Sequence, residues 1–310
     1  MNDSIELRHL RYFLAVAETE NFTRAAERLG ISQPSISQQI TQLETALRTP
    51  LFRRVGKRVF LTEAGAAFRR GAEVVLRKLE DACESVANVA DLVSGRVNLA
   101  VIPALHFAWI PSLLGSIAQD YPGILVGVQE LASSGVETEV EAGRVDLGFG
   151  LVTHNSPNIR YERLVSEPFS LIVADGSKFA SRRAVKLEEL EGERLVLLPV
   201  SFDMRRAAEA VLLHARVHPR VTFETDSIDT VLASVLHTGV PTLLPEIVLR
   251  GREMPGLKAV SISDKTRAID FGILWPAANN VDPATKAIAD ALKHLIKSRS
   301  GRGTTSKADR

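Results

Sequence analysis

The sequence contains little cysteine, few aromatic residues and no long apolar run. Its 310 residues include one cysteine, Cys83, two tryptophans and three tyrosines. A single cysteine excludes a framework of intrachain disulfides and is consistent with a reducing compartment. No apolar run approaches the roughly 18 residues of a membrane-spanning helix, and the first residues lack the basic-then-apolar pattern of a secretory signal. We therefore expect a cytoplasmic protein without a membrane partner.

Motifs for catalysis and metal binding are also missing from the sequence. GxSxG, GxxxxGK[ST], HExxH and paired cysteines or histidines at metal-ligand spacing do not occur. The Gly148-Phe149-Gly150 triplet does not continue into a GxGxxG fingerprint. We accordingly expect no cofactor, no metal and no enzymatic activity. An enzyme built on the second half of the chain is the alternative interpretation.

Charge is balanced overall but distributed unevenly along the chain. The whole chain has 38 basic and 37 acidic residues. Residues 1–70 hold eleven Lys/Arg against seven Asp/Glu, whereas the remainder holds 27 against 30. A basic first region on a slightly acidic body favours a polyanion-binding N-terminal domain. The length indicates two or three domains.

Residues 21–44 carry the most informative pattern, two short helices that meet at a tight turn. Thr23 is expected to cap the first helix by accepting from the free amides of its first turn, and Gly30 to end it. Ser32 is expected to cap the second helix, with Pro34 in its first turn. A helix that turns on glycine into a polar-faced second helix is a helix-turn-helix, whose second helix enters the major groove of DNA.

The outer face of this helix pair is rich in amides and hydroxyls and nearly free of carboxylates. Such side chains suit the edges of bases, because glutamine can bridge adenine and serine can donate or accept. An ordinary helical hairpin with a solvated face is the alternative. The predicted DNA contacts on these helices are Thr23, Arg24, Ser32, Gln33, Pro34, Ser35, Ser37, Gln38, Thr41 and Gln42.

Residues 52–61, FRRVGKRVFL, change the hydrophobic period from 3.6 to about 2 and predict a β-hairpin. Four cations surround its turn, and cations can contact backbone phosphate without sequence choice. A solvated basic loop is the alternative. The predicted phosphate contacts are Arg53, Arg54, Lys57 and Arg58.

A long helix is expected from Thr62 to about Leu92. Its apolar residues recur at alternating steps of four and three from Phe68 to Val93, and a 3.5-residue repeat of this length calls for a partner helix. Packing on the chain's own second half is the alternative. The predicted dimerisation residues are Phe68, Val75, Leu79 and Val86.

From Arg96 onward, short apolar strands alternate with amphipathic helices. This order predicts an α/β fold with a parallel sheet wrapped by helices. The polar, basic segment 298–310 is expected to be a disordered tail. The predicted strands are 97–102, 124–130, 145–150, 169–174, 194–199, 221–225, 240–245 and 268–275, and the predicted helices are 109–121, 134–143, 203–214, 227–238 and 283–297.

The segment 8–52, RHLRYFLAVAETENFTRAAERLGISQPSISQQITQLETALRTPLF, followed by LTEAG at 61–65, resembles the N-terminal domain of LysR-type transcriptional regulators. Stretches such as AVAETENFTRAA and SQQITQLE are similar to the subgroup around the cyanate-operon regulator. The resemblance implies a winged helix-turn-helix domain over 1–65, a linker and dimerisation helix over 62–94, and a two-lobed, periplasmic-binding-protein-like effector domain over 95–297.

The same resemblance implies how the protein works. Lobe I is expected at about 95–166 and 268–297, and lobe II at about 167–267. A homodimer or homotetramer would bind double-stranded DNA at a promoter with an interrupted inverted repeat, respond to a small-molecule effector and contact RNA polymerase. A solute-binding protein for transport is a further alternative, but it would need export.

The effector is expected between the lobes, beyond the carboxyl ends of the strands. Many family members carry Ser or Thr just after the first strand, whereas this chain has Ile102, Ala104 and Leu105. The more apolar surroundings favour an organic acid, its carboxylate held by Ser201 and helix-start amides. A surface histidine and core phenylalanines are the alternatives for His106, Phe149 and Phe202. The predicted effector contacts are Pro103, Ala104, Leu105, His106, Phe149, Gly150, Ser201, Phe202, Asp226 and Leu244.

The second helix departs from many relatives at one position. Gln38 stands where arginine is common, which removes a bidentate contact to guanine. We therefore expect a target half-site that depends less on guanine at that position.

Overall fold

The computed structural model describes residues 5–55, 58–87, 94–277 and 281–302. Side chains are described within these ranges except at 54–55, 77–78, 80–82, 84–87 and 299–302. The chain divides into two compact units, Met1–Asp91 and Leu92–Arg310. None of the helices in the described ranges combines the length and apolarity that crossing a bilayer requires.

The N-terminal unit contains three short helices, a hairpin and one long helix. The predicted helix pair and hairpin are both present, and a helix, α1, precedes them. Their bounds are α1 Leu7–Thr19, α2 Phe22–Leu29, α3 Gln33–Leu47, β1 Phe52–Val55, β2 Arg58–Leu61 and α4 Glu63–Ala87.

The start of α2 differs from the prediction. Asn21 is the N-cap, and its side-chain oxygen accepts from the amides of Thr23 at 2.9 Å and Arg24 at 3.1 Å. The prediction that Thr23 caps this helix is wrong, because Asn21 already holds the extended position before the first turn and Thr23 lies inside the helix. Gly30 ends α2 as expected, with a left-handed φ of 68°.

Helix α3 begins and packs as predicted. The Ser32 hydroxyl accepts from the Ser35 amide at 3.3 Å, and Pro34 lies in the first turn, where no helical amide bond is lost. Ile36, Ile40 and Leu43 are buried along one side. This apolar stripe leaves the opposite, polar side of α3 free to face a partner.

Aromatic rings and one carboxylate hold the N-terminal unit together. The fully buried ring of Phe13 lies 5.1 Å from that of Phe52 and 5.0 Å from that of Phe68, centroid to centroid. Glu44 of α3 accepts from the amides of Leu51 at 2.7 Å and Phe52 at 3.0 Å. These bonds fix the hairpin against the end of α3.

The second unit contains two lobes of mixed α/β structure. Two short 3₁₀ turns, Leu187–Leu190 and Glu246–Leu249, lie in lobe II. The other elements are β3 Gly95–Val101, α5 Pro103–Asp120, β4 Ile124–Glu130, α6 Ser133–Glu141, β5 Leu147–Leu151, β6 Ile159–Glu167, β7 Phe169–Ala174, β8 Ala184–Val185, β9 Arg194–Leu197, α7 Asp203–His214, β10 Arg220–Glu224, α8 Ile228–Thr238, β11 Thr242–Pro245, β12 Leu257–Ile262, β13 Ile269–Pro276 and α9 Pro283–Arg302.

Each lobe has its own sheet, and the chain crosses between the lobes twice: the first crossing joins β6 to β7, and the second crossing, residues 263–268, joins β12 to β13. Lobe I has the order β4-β3-β5-β13-β6, and lobe II has β11-β7-β12-β8 with a separate parallel pair, β9 and β10. The expected parallel arrangement holds among β3, β4 and β5, whereas β13 runs antiparallel to β5 and β6. The parallel sheet predicted from the βαβαβ order is therefore confirmed for these three strands, and β13 and β6 extend it with antiparallel pairs.

Helix α5 begins at Pro103, six residues before the predicted start at 109. Pro103 takes the first helical position, where its missing amide costs nothing. A second proline, Pro111, lies inside the helix. The consequence is that residues 103–106 form the first helical turn and not a loop.

Strands β6, β8 and β12 were not predicted. Buried and exposed residues do not alternate regularly along them, so their sequences lack the period of two that identifies a strand. The last helix also exceeds its prediction, because α9 ends at Arg302 and not at 297. The expected disordered tail is thus helical over 298–302. Residues 303–310 lie outside the described residues.

Candidate nucleic-acid interface and effector pocket

One side of α3 forms an open groove of about 930 Å³ with the start of α1. Residues of both helices line it, and α1 contributes Arg8 and His9, with Glu6 just before it. Most predicted base contacts on α3 therefore lie on a single surface. They are Gln33, Pro34, Ser37, Gln38, Thr41 and Gln42.

The hydrogen bonds within α3 decide what this groove can offer a partner. The Thr41 hydroxyl donates to the Ser37 carbonyl at 2.9 Å, so its oxygen remains an acceptor. Gln42 accepts from the Gln39 amide nitrogen at 2.9 Å, so its own amide nitrogen remains a donor. Gln33 and Gln38 make no side-chain hydrogen bond to other residues of the described part. The groove can thus present both donors and acceptors to base edges.

Four predicted contacts do not line the groove. The Ser32 and Ser35 hydroxyls lie 2.7 Å apart and bond each other at the helix cap. Thr23 and Arg24 are exposed in the first turn of α2. All four residues take part in the hydrogen bonds that cap the start of α2 or α3.

The hairpin places two described cations on its outer side. Arg53 pairs across the hairpin with Phe60, and its guanidinium carbon lies 5.3 Å from the centre of that ring. Arg58 is exposed and pairs with Val55. The side chain of Arg54 and all of Lys57 lie outside the described residues, so their predicted roles remain predictions.

Glu6, Arg8 and His9 also line the groove, but they are not among the predicted DNA contacts. The Glu6 amide donates to His9 Nδ1 at 2.9 Å, and Arg8 forms an ion pair with the Glu6 carboxylate at 2.8 Å. The sequence could have indicated this helix start, because the side chain three residues after an N-cap commonly accepts from the amide of the cap residue, as His9 does from Glu6. A histidine in that position is harder to read than the usual Glu or Gln.

Helix α4 starts at the predicted cap, where the Thr62 hydroxyl accepts from the Gly65 amide at 2.9 Å. Phe68 was predicted on the dimer seam, but its ring packs on Phe13 within its own core. Val75 is 47% exposed and Leu79 is half-buried, so both are available to a partner helix. The side chain of Val86 lies outside the described residues.

The second unit has a pocket of about 750 Å³ between its lobes. Four separate segments enclose it: the end of β5 with the residues after it, Leu187 of the first 3₁₀ turn, one side of α7, and the second crossing with the start of β13. Its walls are mostly apolar, with charged groups at the crossing. The lining residues are Leu151, Val152, Thr153, Leu187, Asp203, Arg206, Ala207, Ala210, Val211, His214, Ala215, Asp264, Lys265, Thr266, Arg267, Ala268, Ile269 and Asp270.

The acidic groups of this pocket already have partners. Asp203 forms an ion pair with Arg206, which also lines the pocket. Asp264 accepts from the Leu187 amide at 2.9 Å, and Asp270 lies 3.8 Å from the Arg163 guanidinium.

The cations at the crossing are less committed. Lys265 and Arg267 form no ion pair with any residue of the described ranges, and both are exposed. The pocket therefore presents two cations without an ion-pair partner in the described ranges, next to Asp264, whose described hydrogen bond comes from a neutral amide. Such a site attracts an anion.

A hydrogen-bonded cluster borders the pocket at Thr153. The Thr153 and Tyr161 hydroxyls both donate to Glu137 Oε1, at 2.6 and 2.9 Å. Burial raises the pKa of the Tyr161 phenol; its bond with Thr153 lowers the pKa and its bond with Glu137 raises it. The phenol thus remains neutral and keeps its hydrogen bond over the physiological range of pH.

None of the predicted effector contacts lines this pocket. Ala104, Leu105, Phe149 and Leu244 are at most 2% exposed and belong to the core. The physical reason for the first two is the early start of α5, whose first turn packs inward. Their side chains pack in the core of the structure, and their assignment as effector contacts stays a prediction.

The remaining predicted contacts lie near the pocket or apart from it. Gly150 is buried in β5, one residue before the pocket begins, and Ser201 and Phe202 immediately precede α7. Asp226 is exposed before α8. His106 Nδ1 lies 2.6 Å from a Glu130 carboxylate oxygen. Pro103 accepts through its carbonyl from Arg252 at 3.3 Å.

The chain matches two family models that together span both units. Residues 7–66 match a "Bacterial regulatory helix-turn-helix protein, lysR family", and residues 90–297 match the "LysR substrate binding domain". Among curated relatives, the regulator TfdS of Cupriavidus pinatubonensis is 30% identical over 293 residues, covering 93% of this chain and 98% of its own. YybE of Bacillus subtilis is 26% identical over 292 residues, covering 94% and 98%.

Solved structures show the same fold at lower identity. Full-length CbnR in complex with its target DNA aligns with a TM-score of 0.72 at 24% identity, covering 94% of this chain and 99% of that one. A full-length OxyR variant from Pseudomonas aeruginosa aligns with a TM-score of 0.70 at 22% identity, covering 94% and 95%. The helix-turn-helix match, the substrate-binding-domain match and the full-length relatives agree. The chain belongs to the LysR family of transcriptional regulators, with an N-terminal DNA-binding domain and a C-terminal effector-binding domain.

Proposed function

We propose that this regulator binds, as a homodimer or homotetramer, a promoter with an interrupted inverted repeat, and that an organic acid bound between its lobes controls its action on RNA polymerase. The observation that carries the DNA half is the groove along α3, where Gln33 and Gln38 keep donors and acceptors available. Each twofold pair of recognition helices then reads two half-sites spaced by turns of the duplex. Val75 and Leu79 on α4 are the described residues offered for pairing.

The DNA half is tested by replacing Gln33 with alanine and titrating the full chain against its own promoter and against random duplex. Loss of a base contact lowers promoter affinity by roughly 1–3 kcal/mol and leaves random-duplex affinity nearly unchanged. Gln129→Ala, at an exposed glutamine in β4, is the matched control and changes neither affinity. Full promoter preference in Gln33→Ala would contradict the assignment of this face. A monomer in sedimentation would contradict the paired half-sites.

The effector half is supported by the composition of the interlobe pocket. Apolar side chains from α7 and β5 form its walls, while Lys265 and Arg267 at the crossing offer positive charge to a carboxylate. A carboxylate gains charge-assisted hydrogen bonds from such cations, and an apolar body gains burial against the walls. An organic acid with an apolar body satisfies both parts of the site.

A thermal-shift screen tests this assignment on the full chain, using a panel of aliphatic and aromatic carboxylates and their methyl esters. A ligand at about 100 times its Kd stabilises the folded state by about 2.7 kcal/mol, which raises the melting temperature measurably. Lys265→Met should weaken binding of an acid by roughly tenfold, as expected for a lost hydrogen bond to a charged group. Lys286→Met, an exposed lysine on α9, is the control. Equal shifts by acids and esters would contradict a carboxylate site.

We propose that lobe movement couples effector binding to DNA binding. A ligand that contacts both lobes can change the lobe angle only by as much as its affinity differs between the two shapes. Footprints and DNA bends should therefore differ with and without an acid that raises the melting temperature. The match of residues 90–297 to the LysR substrate binding domain supports assigning the α/β unit to ligand binding.

A further inference from the structure

A three-residue segment of lobe II, Arg250-Gly251-Arg252, lies against the start of α5 in lobe I. It directly follows the 3₁₀ turn Glu246–Leu249. Its sequence carries no motif that predicts a functional role. We name this segment the strap. All three of its residues contact lobe I, and each does so by a different kind of interaction.

The deepest contact is made by Arg252, whose side chain is only 3% exposed. Its guanidinium bonds two groups of lobe II, the Asp229 carboxylate at 2.6 Å and the Val248 carbonyl at 2.7 Å. It also donates to the Pro103 carbonyl of lobe I at 3.3 Å and lies 4.4 Å from the centre of the Phe107 ring. A buried cation is tolerated only when its donors are satisfied, so this arginine requires partners from both lobes.

The middle contact requires a glycine. A Cβ on Gly251 would lie 2.0 Å from the Phe107 carbonyl oxygen, and the φ of Gly251 is 76°, which other residues rarely adopt. Pro111 has no amide hydrogen, so that carbonyl lacks the donor four residues along that a regular helix would supply. The interruption in α5 and the glycine of the strap therefore meet at the same carbonyl.

The third contact joins the strap to the first crossing. Arg250 lies 2.8 Å from the carboxylate of Glu167, the last residue of β6. The Glu167 side chain is 11% exposed, which reduces solvent screening of this ion pair. The strap therefore reaches lobe I at the start of α5 and at the end of β6.

The pocket side of the interlobe region has the second crossing but no equivalent side-chain tie within the described part of the chain. The effector pocket has α7 on one side and residues 151–153 on the other, and no side-chain hydrogen bond joins these two walls within the described part of the chain. Separating the lobes at the strap would leave a buried guanidinium with half of its partners. Separating them at the pocket would break no such bond.

We propose that the strap is a fixed tie that keeps the lobes joined at the start of α5, so that lobe movement is confined to the side of the effector pocket. This inference does not depend on the chemistry of the ligand. It makes Arg252 a positioning residue, which acts through lobe geometry without touching the effector.

Hydrogen exchange of the full chain, followed by mass spectrometry, tests the tie. In Arg252→Met, peptides covering 103–113 of lobe I and 246–253 of lobe II should exchange about tenfold faster than in wild type, since local opening is governed by local contacts. The milder Asp229→Asn removes a charge from an exposed partner and keeps the shape, so it remains informative if Arg252→Met does not fold. It should show a smaller increase in the same peptides.

Arg205→Met is the matched control. Arg205 is equally buried, with a side chain 5% exposed, but its partners Glu209, Glu224 and the Leu198 carbonyl all belong to lobe II. Its increase in exchange should stay within lobe II around α7 and β10. Unchanged exchange over 103–113 in both Arg252→Met and Asp229→Asn would overturn the proposal. So would an equal increase there in Arg205→Met, since that pattern would mean general destabilisation.

Discussion

The groove on α3 and the pocket between the lobes differ in how much of the chain each needs. The groove takes most of its polar groups from one continuous helix, Gln33–Leu47, with a short contribution from the start of α1. The pocket takes its walls from four segments, at 151–153, at 187, at 203–215 and at 264–270. A single side chain can therefore be removed from the groove without moving the others. The pocket instead exists only while both lobes are packed and correctly placed.

The two regions also treat their polar groups differently. In the groove, Gln33 and Gln38 keep their hydrogen-bonding capacity within the described residues, whereas in the pocket Asp203, Asp264 and Asp270 are already engaged. A surface that must read many bases needs uncommitted donors and acceptors. In the pocket, Asp203 and Asp270 have cationic partners, and Asp264 accepts from a backbone amide. The predictions below test whether the two units behave as independently as this contrast requires.

The largest effect is expected from Phe13→Ala. Phe13 is fully buried and contacts Phe52 and Phe68, so its truncation should destabilise the N-terminal unit by about 3–5 kcal/mol. Calorimetry of the full chain should show the loss or lowering of one transition, and DNA binding should fail. The transition of the second unit should persist.

Leu213→Ala, at a leucine 71% exposed on α7, is the control for this prediction and should change stability by at most about 0.5 kcal/mol. If Phe13→Ala instead lowered both transitions together, the two units would be one cooperative body. The contrast between groove and pocket would then lose its basis.

An intermediate effect is expected from Arg58→Ala on the hairpin. A phosphate contact carries no sequence information, so affinity for promoter and random duplex should fall by the same factor. The slope of log affinity against log salt should flatten by about one. Titrations at several salt concentrations measure both quantities. Arg183→Ala, an exposed arginine of lobe II, should leave the slope unchanged; a loss confined to the promoter would mean that Arg58 reads bases.

The smallest effect is expected from Glu162→Gln in lobe I. Burial tends to raise the pKa of Glu162, but the hydrogen bonds and charge of Lys293, the Trp275 ring nitrogen and Arg160 outweigh it, so the pKa lies below its ordinary value. The unfolded chain therefore binds this proton more readily. The stabilisation is present above the ordinary pKa and is lost as pH falls through the lower folded value.

Glu162→Gln should accordingly lose a few tenths to about 1 kcal/mol at neutral pH, because the pair with Lys293 is partly screened by solvent. The difference from wild type should shrink on acidification. Urea unfolding at neutral and acidic pH measures it. A difference that grew in acid would contradict the assigned direction of the pKa shift.

Local rules carried the prediction of the N-terminal unit. The stop at Gly30, the cap at Ser32, the apolar stripe of α3 and the change of period at residue 52 are all set by neighbours within a few residues. The resemblance over 8–52 then identified the arrangement. The one local error, Thr23 in place of Asn21 as the cap, concerned a shift of two positions between residues with the same capping chemistry.

The effector pocket could not be predicted in the same way. Its location depends on the end of β5, on β13 returning beside β5 and β6, and on the second crossing bringing Lys265 and Arg267 near α7. Ala104, Leu105 and Phe149 follow strands, as ligand contacts in such folds do, and the sequence does not reveal that packing buries them.

By itself, the sequence determined the helix-turn-helix, its polar face, the basic hairpin and the alternation of strands and helices in the second unit. Tertiary structure alone decided which residues face the interlobe pocket, that Phe68 belongs to its own core, and that Arg252 joins the lobes. The physical reason is the distance along the chain between the residues that interact. Caps and periodicity act over one or two helical turns, whereas Arg252 meets Pro103 across 149 residues, a pairing that only the packing of the two lobes specifies.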